Sequence, residues 1–266
     1  MEPRKSKEVI LEILKTKGSV LIAYSGGVDS SLLAALAVQV LGKEQLRCVL
    51  LDSPLMPRRA VWEARETAAR LDLPLDVVAF PILRDEAFRE NPPNRCYICK
   101  KASSRLLKEL ARHEGIEVVA DGTNVSDLGT YRPGLAAGKE AGVFHPLATA
   151  GIAKDDIRRI AHECGFPFWN KPSAACLASR IPYGDEVTEE VLARIEAAEE
   201  ALQDRGFCQV RVRVHGDVAR IEVPPNVLER FFAMRDDVTA ALREIGFGYV
   251  TLDLAGYRSG SMDEIL

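Results

Sequence analysis

Six consecutive residues near the start of the chain, Ser25-Gly26-Gly27-Val28-Asp29-Ser30, constrain its fold more than any other segment. They follow a short apolar run, Gly18 to Tyr24, and precede Leu32, Leu36 and Val40, which recur every fourth residue. That order predicts a strand, a glycine loop and a helix. Paired glycines let the backbone turn tightly and bring N–H groups against an anion, and the positive end of the following helix adds a favourable dipole. No Gly-Lys-Ser/Thr follows, so the loop is not a Walker A motif. The plainer alternative, a βα turn with Asp29 capping a helix, explains the glycines but not the full run in this setting.

The pattern then repeats. Leu46 to Leu51 ends in Asp52-Ser53-Pro54 and is followed by an amphipathic stretch from Arg58 to Leu71. Leu75 to Phe80, a polar loop with Pro92 and Pro93, a helix from about Ser103 to His113, and Val118 to Ala120 come next. Alternating strands and helices imply right-handed crossovers and a parallel sheet covered on both faces. Arg180 to Gly184 reads as a linker, after which a helix (Thr188 to Gln203, with Thr188 as N-cap), two strands (Gln209 to Val214 and Ala219 to Val223), a helix (Asn226 to Ile245) and a strand (Tyr249 to Leu254) form an α+β unit. The expected organisation is an α/β domain over 1–185 and a smaller α+β domain over 186–266.

Asp52 and Ser53 sit at the carboxyl end of a strand, where open α/β sheets bind nucleotides; a simple turn before Pro54 is the competing reading. Asp121-Gly122-Thr123-Asn124, with Tyr131-Arg132-Pro133-Gly134 downstream, forms a second polar loop after a strand. Gly122 permits close approach, Thr123 and Asn124 can bond an adenine or phosphate, and Arg132 offers a planar fork for phosphate. An Asn/Asp-rich loop is otherwise an ordinary turn.

Six cysteines in a chain of this length are not a disulfide framework. Cys48, Cys164 and Cys208 are scattered, whereas Cys96-Tyr97-Ile98-Cys99 is a C-x-x-C flanked by Arg95, Lys100 and Lys101. A structural zinc site typically needs two such pairs, and a redox pair would open a helix in a different setting. A third thiol, Cys176, lies among small residues in the run from Trp169 to Gly184, with Lys171 and Arg180 nearby. Taken alone it reads as a small buried hydrophobe.

S-G-G-V-D-S resembles the signature of the PP-loop ATP pyrophosphatases. Together with D-G-T-N, Y-R-P-G and the Trp169–Gly184 run, it makes the chain resemble the LarE family of ATP-dependent sulfur-transfer enzymes. The resemblance covers most of the first two thirds of the chain and implies a Rossmann-like, adenine nucleotide alpha hydrolase-like fold. It implies that Ser25, Gly26, Gly27, Asp29 and Ser30 cradle the pyrophosphate of ATP with Mg²⁺, and that Asp52, Ser53, Gly122, Thr123, Asn124 and Arg132 complete the nucleotide site. The substrate implied is pyridinium-3,5-biscarboxylic acid mononucleotide, a carboxylate of which is adenylated and then becomes a thiocarboxylate. Cys176 matches the sulfur-bearing cysteine. Some members sacrifice it; others, with a C-x-x-C as here, are thought to hold a 4Fe-4S cluster through three cysteines, here Cys96, Cys99 and Cys176, taking sulfide or another sulfur donor. The resemblance also implies a homo-oligomer.

Arg211 and Arg213 alternate with valines, which places both guanidinium groups on one strand face. They are candidate contacts for the substrate phosphate, with Arg180, Glu200, Glu222 and Arg258 as further substrate candidates; a solvated polar face is the plain alternative. The balance of 35 Lys+Arg against 39 Asp+Glu leaves a net charge of -4, which disfavours tRNA and so a PP-loop tRNA thiolase. An ammonia-using synthetase has no need of three such cysteines, and a non-catalytic ATP- or cluster-binding protein would release no AMP. Ser31 to Leu41 is far shorter than the roughly 20 apolar residues of a membrane span, and Met1 to Gly18 lacks the apolar core of a signal peptide. The expectation is a cytoplasmic protein.

Overall fold

The structure, a computed structural model, describes residues 3–129, 133–172 and 175–258. In chain order its first elements are α1 (Pro3–Lys15), β1 (Val20–Ala23), α2 (Val28–Leu41), β2 (Leu46–Asp52), α3 (Arg58–Arg70), β3 (Leu75–Ala79), α4 (Glu86–Arg89) and α5 (Arg95–His113). β4 (Val118–Asp121), α6 (Val125–Leu128), α7 (Pro133–Glu140), α8 (Pro146–Thr149), α9 (Lys154–Glu163) and α10 (Glu189–Asp204) follow. β5 (Arg211–His215), β6 (Val218–Glu222), α11 (Leu228–Ala233), α12 (Arg235–Glu244) and β7 (Tyr249–Leu252) complete the fold.

The chain divides into two compact units. The first comprises Met1–Ser53, Arg58–Ile82 and Asn94–Ala174; the second comprises Pro54–Pro57, Leu83–Pro93 and Ala175–Leu266. In the first unit four parallel strands lie in the order β3-β2-β1-β4. Leu21, Val49, Leu107, Ala111 and Val119 form a buried cluster where α5 covers this sheet. Each large side chain among them contributes about 1.5–3 kcal/mol by leaving water. α2 is hydrophobic nearly all round and, Asp29 apart, buried from Val28 to Ala37, which fixes the loop that feeds it. This is the parallel α/β architecture expected of a PP-loop protein. Phe144 adds a single bridge to Ala120, so the residue after it lies beside the end of β4.

In the second unit β5 and β6 pair antiparallel and β7 joins β6 in parallel. Thr188 caps α10 by accepting the Val191 N–H at 3.2 Å. The helix expected over Asn226 to Ile245 is broken at Met234 into α11 and α12. A larger difference concerns α5, which begins at Arg95 instead of near Ser103. The prolines at 92 and 93 stop just short of it, leaving the segment after Asn94 free to continue the helix. The C-x-x-C therefore lies in the first turns of a helix and not in a loop. Among the described residues no helix is long and apolar enough to cross a membrane.

Candidate active site

The loop between β1 and α2 is held in shape by its own serines. Ser25 N–H donates to Ser30 Oγ at 3.2 Å, the two hydroxyl oxygens are 3.1 Å apart, and Gly27 N–H lies 3.4 Å from Ser25 Oγ. Gly26 has φ +69°, and a Cβ there would meet Ala64 Cβ of α3 at 2.4 Å and its Cα at 2.7 Å. Only glycine satisfies both constraints. Gly27 is the N-cap of α2 in extended conformation, so the helix's first N–H groups open toward the loop.

The second loop closes on the first. A Cβ on Gly122 would lie 2.9 Å from Ser30 N and 3.0 Å from Asp29 Cβ, so the Asp121–Asn124 segment touches the first turn of α2. Thr123 N–H donates to Asp121 Oδ1 at 3.1 Å, and Asn124 caps α6 by accepting from Ser126 N–H at 2.9 Å. Asn124 is buried, whereas Gly122 and Thr123 are half-exposed. Asp52 is half-exposed and accepts from Arg58 at 2.6 Å; Arg58 also donates to the Ser53 carbonyl at 2.6 Å. Arg132 lies outside the described residues.

Two lysines that no local motif links to it reach this loop. Lys154, at the start of α9, donates to both Asp29 carboxylate oxygens at 2.7 and 2.5 Å. Lys171 donates to the Gly26 carbonyl at 3.1 Å and pairs with Glu63 at 3.1 Å. They lie 125 and 145 residues beyond their partners, too far for any window of sequence to connect them. Together they supply positive charge where a polyphosphate would need it.

Asp121 is 5% exposed yet ionised. Burial works against its charge, but the His145 hydrogen bond and the Lys100 ammonium outweigh that and hold the carboxyl well below the usual carboxylate range. Lys100 Nζ is 2.6 Å from Oδ2 and His145 Nδ1 is 2.7 Å from Oδ1. An ionised carboxylate only accepts, so Nδ1 carries the proton.

Cys96 and Cys99 are three residues apart at the start of α5, hence on one face; Cys96 is exposed and Cys99 half-buried. α7 lies close to this turn because Gly134 and Gly138 face it: a Cβ on Gly134 would sit 3.4 Å from the Cys96 carbonyl oxygen, and one on Gly138 3.3 Å from Lys100 Cε.

In the second unit Cys176 is exposed. Its turn is built on two buried guanidinium groups. Arg180, 2% exposed, makes a fork to Glu199 with both contacts at 2.8 Å, and its remaining nitrogen donates to the carbonyls of Ala175 (3.1 Å) and Cys176 (3.0 Å) and to Ser179 Oγ (2.8 Å). Arg213 forks onto the fully buried Glu222 at 3.1 and 2.8 Å and donates to the Ser179 carbonyl at 2.6 Å. The reading of Arg211 and Arg213 as a solvated strand face is thereby overturned for Arg213. Arg211 is half-buried over the Tyr257 ring at 5.4 Å, and burial together with the Arg180 charge pushes its pKa down. Glu200 is exposed on α10, and its neighbour Glu199 is the one that meets Arg180. Arg258 is half-buried, with one nitrogen 3.4 Å from the Gly256 carbonyl oxygen. Among the described residues no group of three or more His, Cys, Asp or Glu side chains is gathered as a metal site.

Comparison with known proteins agrees with this architecture. The NAD synthase family matches residues 4–89, the segment that carries the glycine loop. A protein described as pyridinium-3,5-bisthiocarboxylic acid mononucleotide synthase, from Lactiplantibacillus plantarum, is 37% identical over 98% of this chain and 94% of its own length. An uncharacterized protein of Synechocystis sp. is 40% identical over 92% of both chains. A tRNA-specific 2-thiouridylase of Desulforamulus reducens is 29% identical over 58% of this chain and 53% of its own. With end-to-end likeness to the mononucleotide synthase on a PP-loop fold, the chain belongs to the LarE family of PP-loop proteins.

Proposed function

We propose that this protein is an ATP-dependent sulfur transferase acting on pyridinium-3,5-biscarboxylic acid mononucleotide in the synthesis of the nickel-pincer nucleotide. The observation that carries this reading is the likeness to the mononucleotide synthase over 98% of the chain. The likeness to the tRNA thiouridylase extends over only 58%.

In the proposed reaction a substrate carboxylate oxygen attacks the α-phosphorus of ATP, the bond to the β-phosphate bridging oxygen breaks, and pyrophosphate leaves. The Ser25–Ser30 loop, Lys154 and Lys171 receive the polyphosphate, with Mg²⁺ offsetting its charge; Asp52, Ser53, Gly122, Thr123, Asn124 and Arg132 hold the rest of the nucleotide. A sulfur nucleophile then attacks the acyl carbon and AMP departs with the C–O electron pair. Arg211, in the cluster with Arg180, Arg213 and Glu222, faces the substrate phosphate, with Glu200 and Arg258 at its margin.

Two sources of sulfur are proposed. In the sacrificial route the Cys176 thiolate forms a thioester, a base removes the Cys176 α-proton, and the Cβ–S bond breaks to leave a thiocarboxylate and dehydroalanine. In the other, Cys96, Cys99 and Cys176 would hold a 4Fe-4S cluster, whose fourth iron would supply a site for a hydrosulfide nucleophile. The soft thiolates and the one-face spacing of Cys96 and Cys99 suit that group. The resemblance extends the proposal to a cytoplasmic homo-oligomer.

Anaerobic incubation of the full chain with ATP, Mg²⁺, sulfide and either the pyridinium mononucleotide or tRNA tests the reading. AMP, pyrophosphate and a thiocarboxylate product only with the mononucleotide are expected; product only with tRNA, or no AMP with either, would refute it. Iron and sulfide analysis with intact-mass measurement of Cys176 separates the two sulfur routes. Normal mononucleotide binding by Arg211→Ala would remove the phosphate role assigned to Arg211.

A further inference from the structure

The buried Asp121 carboxylate is held by two side chains that the proposed chemistry does not use. Lys100 comes from α5, one residue after Cys99, and His145 stands at the N-cap position of α8. Neither is free to drift. Phe144 N–H donates to the Val119 carbonyl at 2.8 Å and Asp121 N–H donates to the Phe144 carbonyl at 3.1 Å, so the main chain delivers His145 to the end of β4. A Cβ on Gly138 would meet both Lys100 Cε (3.3 Å) and His145 Cε1 (3.7 Å), so α7 closes over the two side chains. Lys100, Asp121 and His145 are 28%, 8% and 19% exposed in their side chains, which keeps water from competing for the carboxylate.

Asp121 has one further contact. Its Oδ1 accepts the Thr123 N–H at 3.1 Å, which fixes the peptide on the far side of Gly122. Gly122 in turn is pressed against Ser30 N, with no room for a side chain. A chain of contacts thus runs from α5 and α8, through one carboxylate, to the first turn of α2.

We infer that Lys100 and His145 are positioning residues for the nucleotide site: together they lock Asp121, which holds the Gly122–Asn124 loop against the Ser25–Ser30 loop in the geometry that receives ATP. Neither touches the nucleotide. Lys100 also ties the Cys96/Cys99 turn to the same carboxylate, so the thiol pair and the second nucleotide loop share one anchor. Removing either donor leaves one side chain and the Thr123 N–H to hold a buried charge and lets the loop lean away from α2.

This inference rests on the proposed use of ATP, and binding experiments separate the two. Isothermal titration of the full-length chain with Mg²⁺–ATP gives Kd for wild type and for Lys100→Met, His145→Leu, Lys100→Arg and His145→Asn, with thermal melts confirming that each variant is folded. His145→Asn keeps an N–H at the Nδ1 position and Lys100→Arg keeps a cation. The expected result is a loss of about tenfold in Kd for Lys100→Met and for His145→Leu, with His145→Asn and Lys100→Arg restored to within about threefold of wild type. The double variant Lys100→Met/His145→Leu should lose less than the product of the two single losses, because both act through one carboxylate. Unchanged affinity in His145→Leu and Lys100→Met, or no rescue by the conservative variants, would overturn the inference alone. Absence of ATP binding by wild type would overturn it together with the proposed use of ATP.

Discussion

Around the glycine loop of the first unit, the groups offered to an anion are backbone N–H donors, shaped by Gly26, Gly27 and Gly122 and flanked by lysines. Around Cys176 in the second unit the same task of shaping a turn falls to side chains, through the Arg180–Glu199 and Arg213–Glu222 forks. The two constructions fail differently. A backbone-built loop is sensitive to added volume, because a single Cβ has nowhere to go. A turn built on buried ion pairs tolerates volume but not loss of one partner, because the survivor is left as an uncompensated buried charge.

The largest expected effect lies in the second unit. Glu222→Ala strands Arg213, and should lower the unfolding free energy by about 3–5 kcal/mol, measured by urea denaturation. Replacing both members, as in Arg213→Met/Glu222→Leu, should recover most of that stability while loosening the Cys176 turn; a double variant as unstable as Glu222→Ala would mean that the pair is not the source.

In the first unit Gly26→Ala combines a left-handed φ with overlap on Ala64 and should cost about 2–4 kcal/mol, with loss of ATP binding. Gly27→Ala is the control: its nearest neighbour would be Ser25 Oγ at 3.4 Å and its φ is -75°, so less than about 1 kcal/mol is expected. Equal costs at the two positions would break the steric account of the loop.

The smallest effect is a pH dependence. The Asp121 carboxyl is held below its ordinary value of 3.8 in the folded chain. The stability it contributes is therefore present above that value and is lost as pH falls below it toward the folded pKa. Wild-type unfolding free energy should fall more steeply below about pH 4 than that of Asp121→Asn. Parallel curves would show that Lys100 and His145 do not hold the carboxylate as the geometry indicates.

Much of the first unit is legible in the order of its residues. β1, α2, β2, α3, β3 and β4 each follow from apolar runs and four-residue periodicity, because a parallel sheet buried on both faces needs continuous apolar strands. The helical setting of Cys96 and Cys99 does not, since the apolar residues between Asn94 and Lys101 form one contiguous block, Cys96 to Cys99, with no four-residue spacing, and α5 is fixed by packing farther along, at Leu107 and Ala111. Alternation along Arg211–Val214 correctly indicates a strand, but it cannot reveal that Arg213 is buried, because Glu222 comes from the neighbouring strand. Lys154 and Lys171 are invisible as partners of the loop for the same reason.

Sequence by itself determined what is local in this protein: the strand–glycine loop–helix that can receive a phosphate, the second loop at the end of β4, and the three cysteines worth following. Those signals survive in one dimension because conformational freedom, turn geometry and periodicity act over a few residues. Tertiary structure decided which charges meet. It brought Lys154 to Asp29, Lys100 and His145 to Asp121, and Glu222 to Arg213, because the strength of an ion pair depends on the distance and water exclusion that only the folded chain creates.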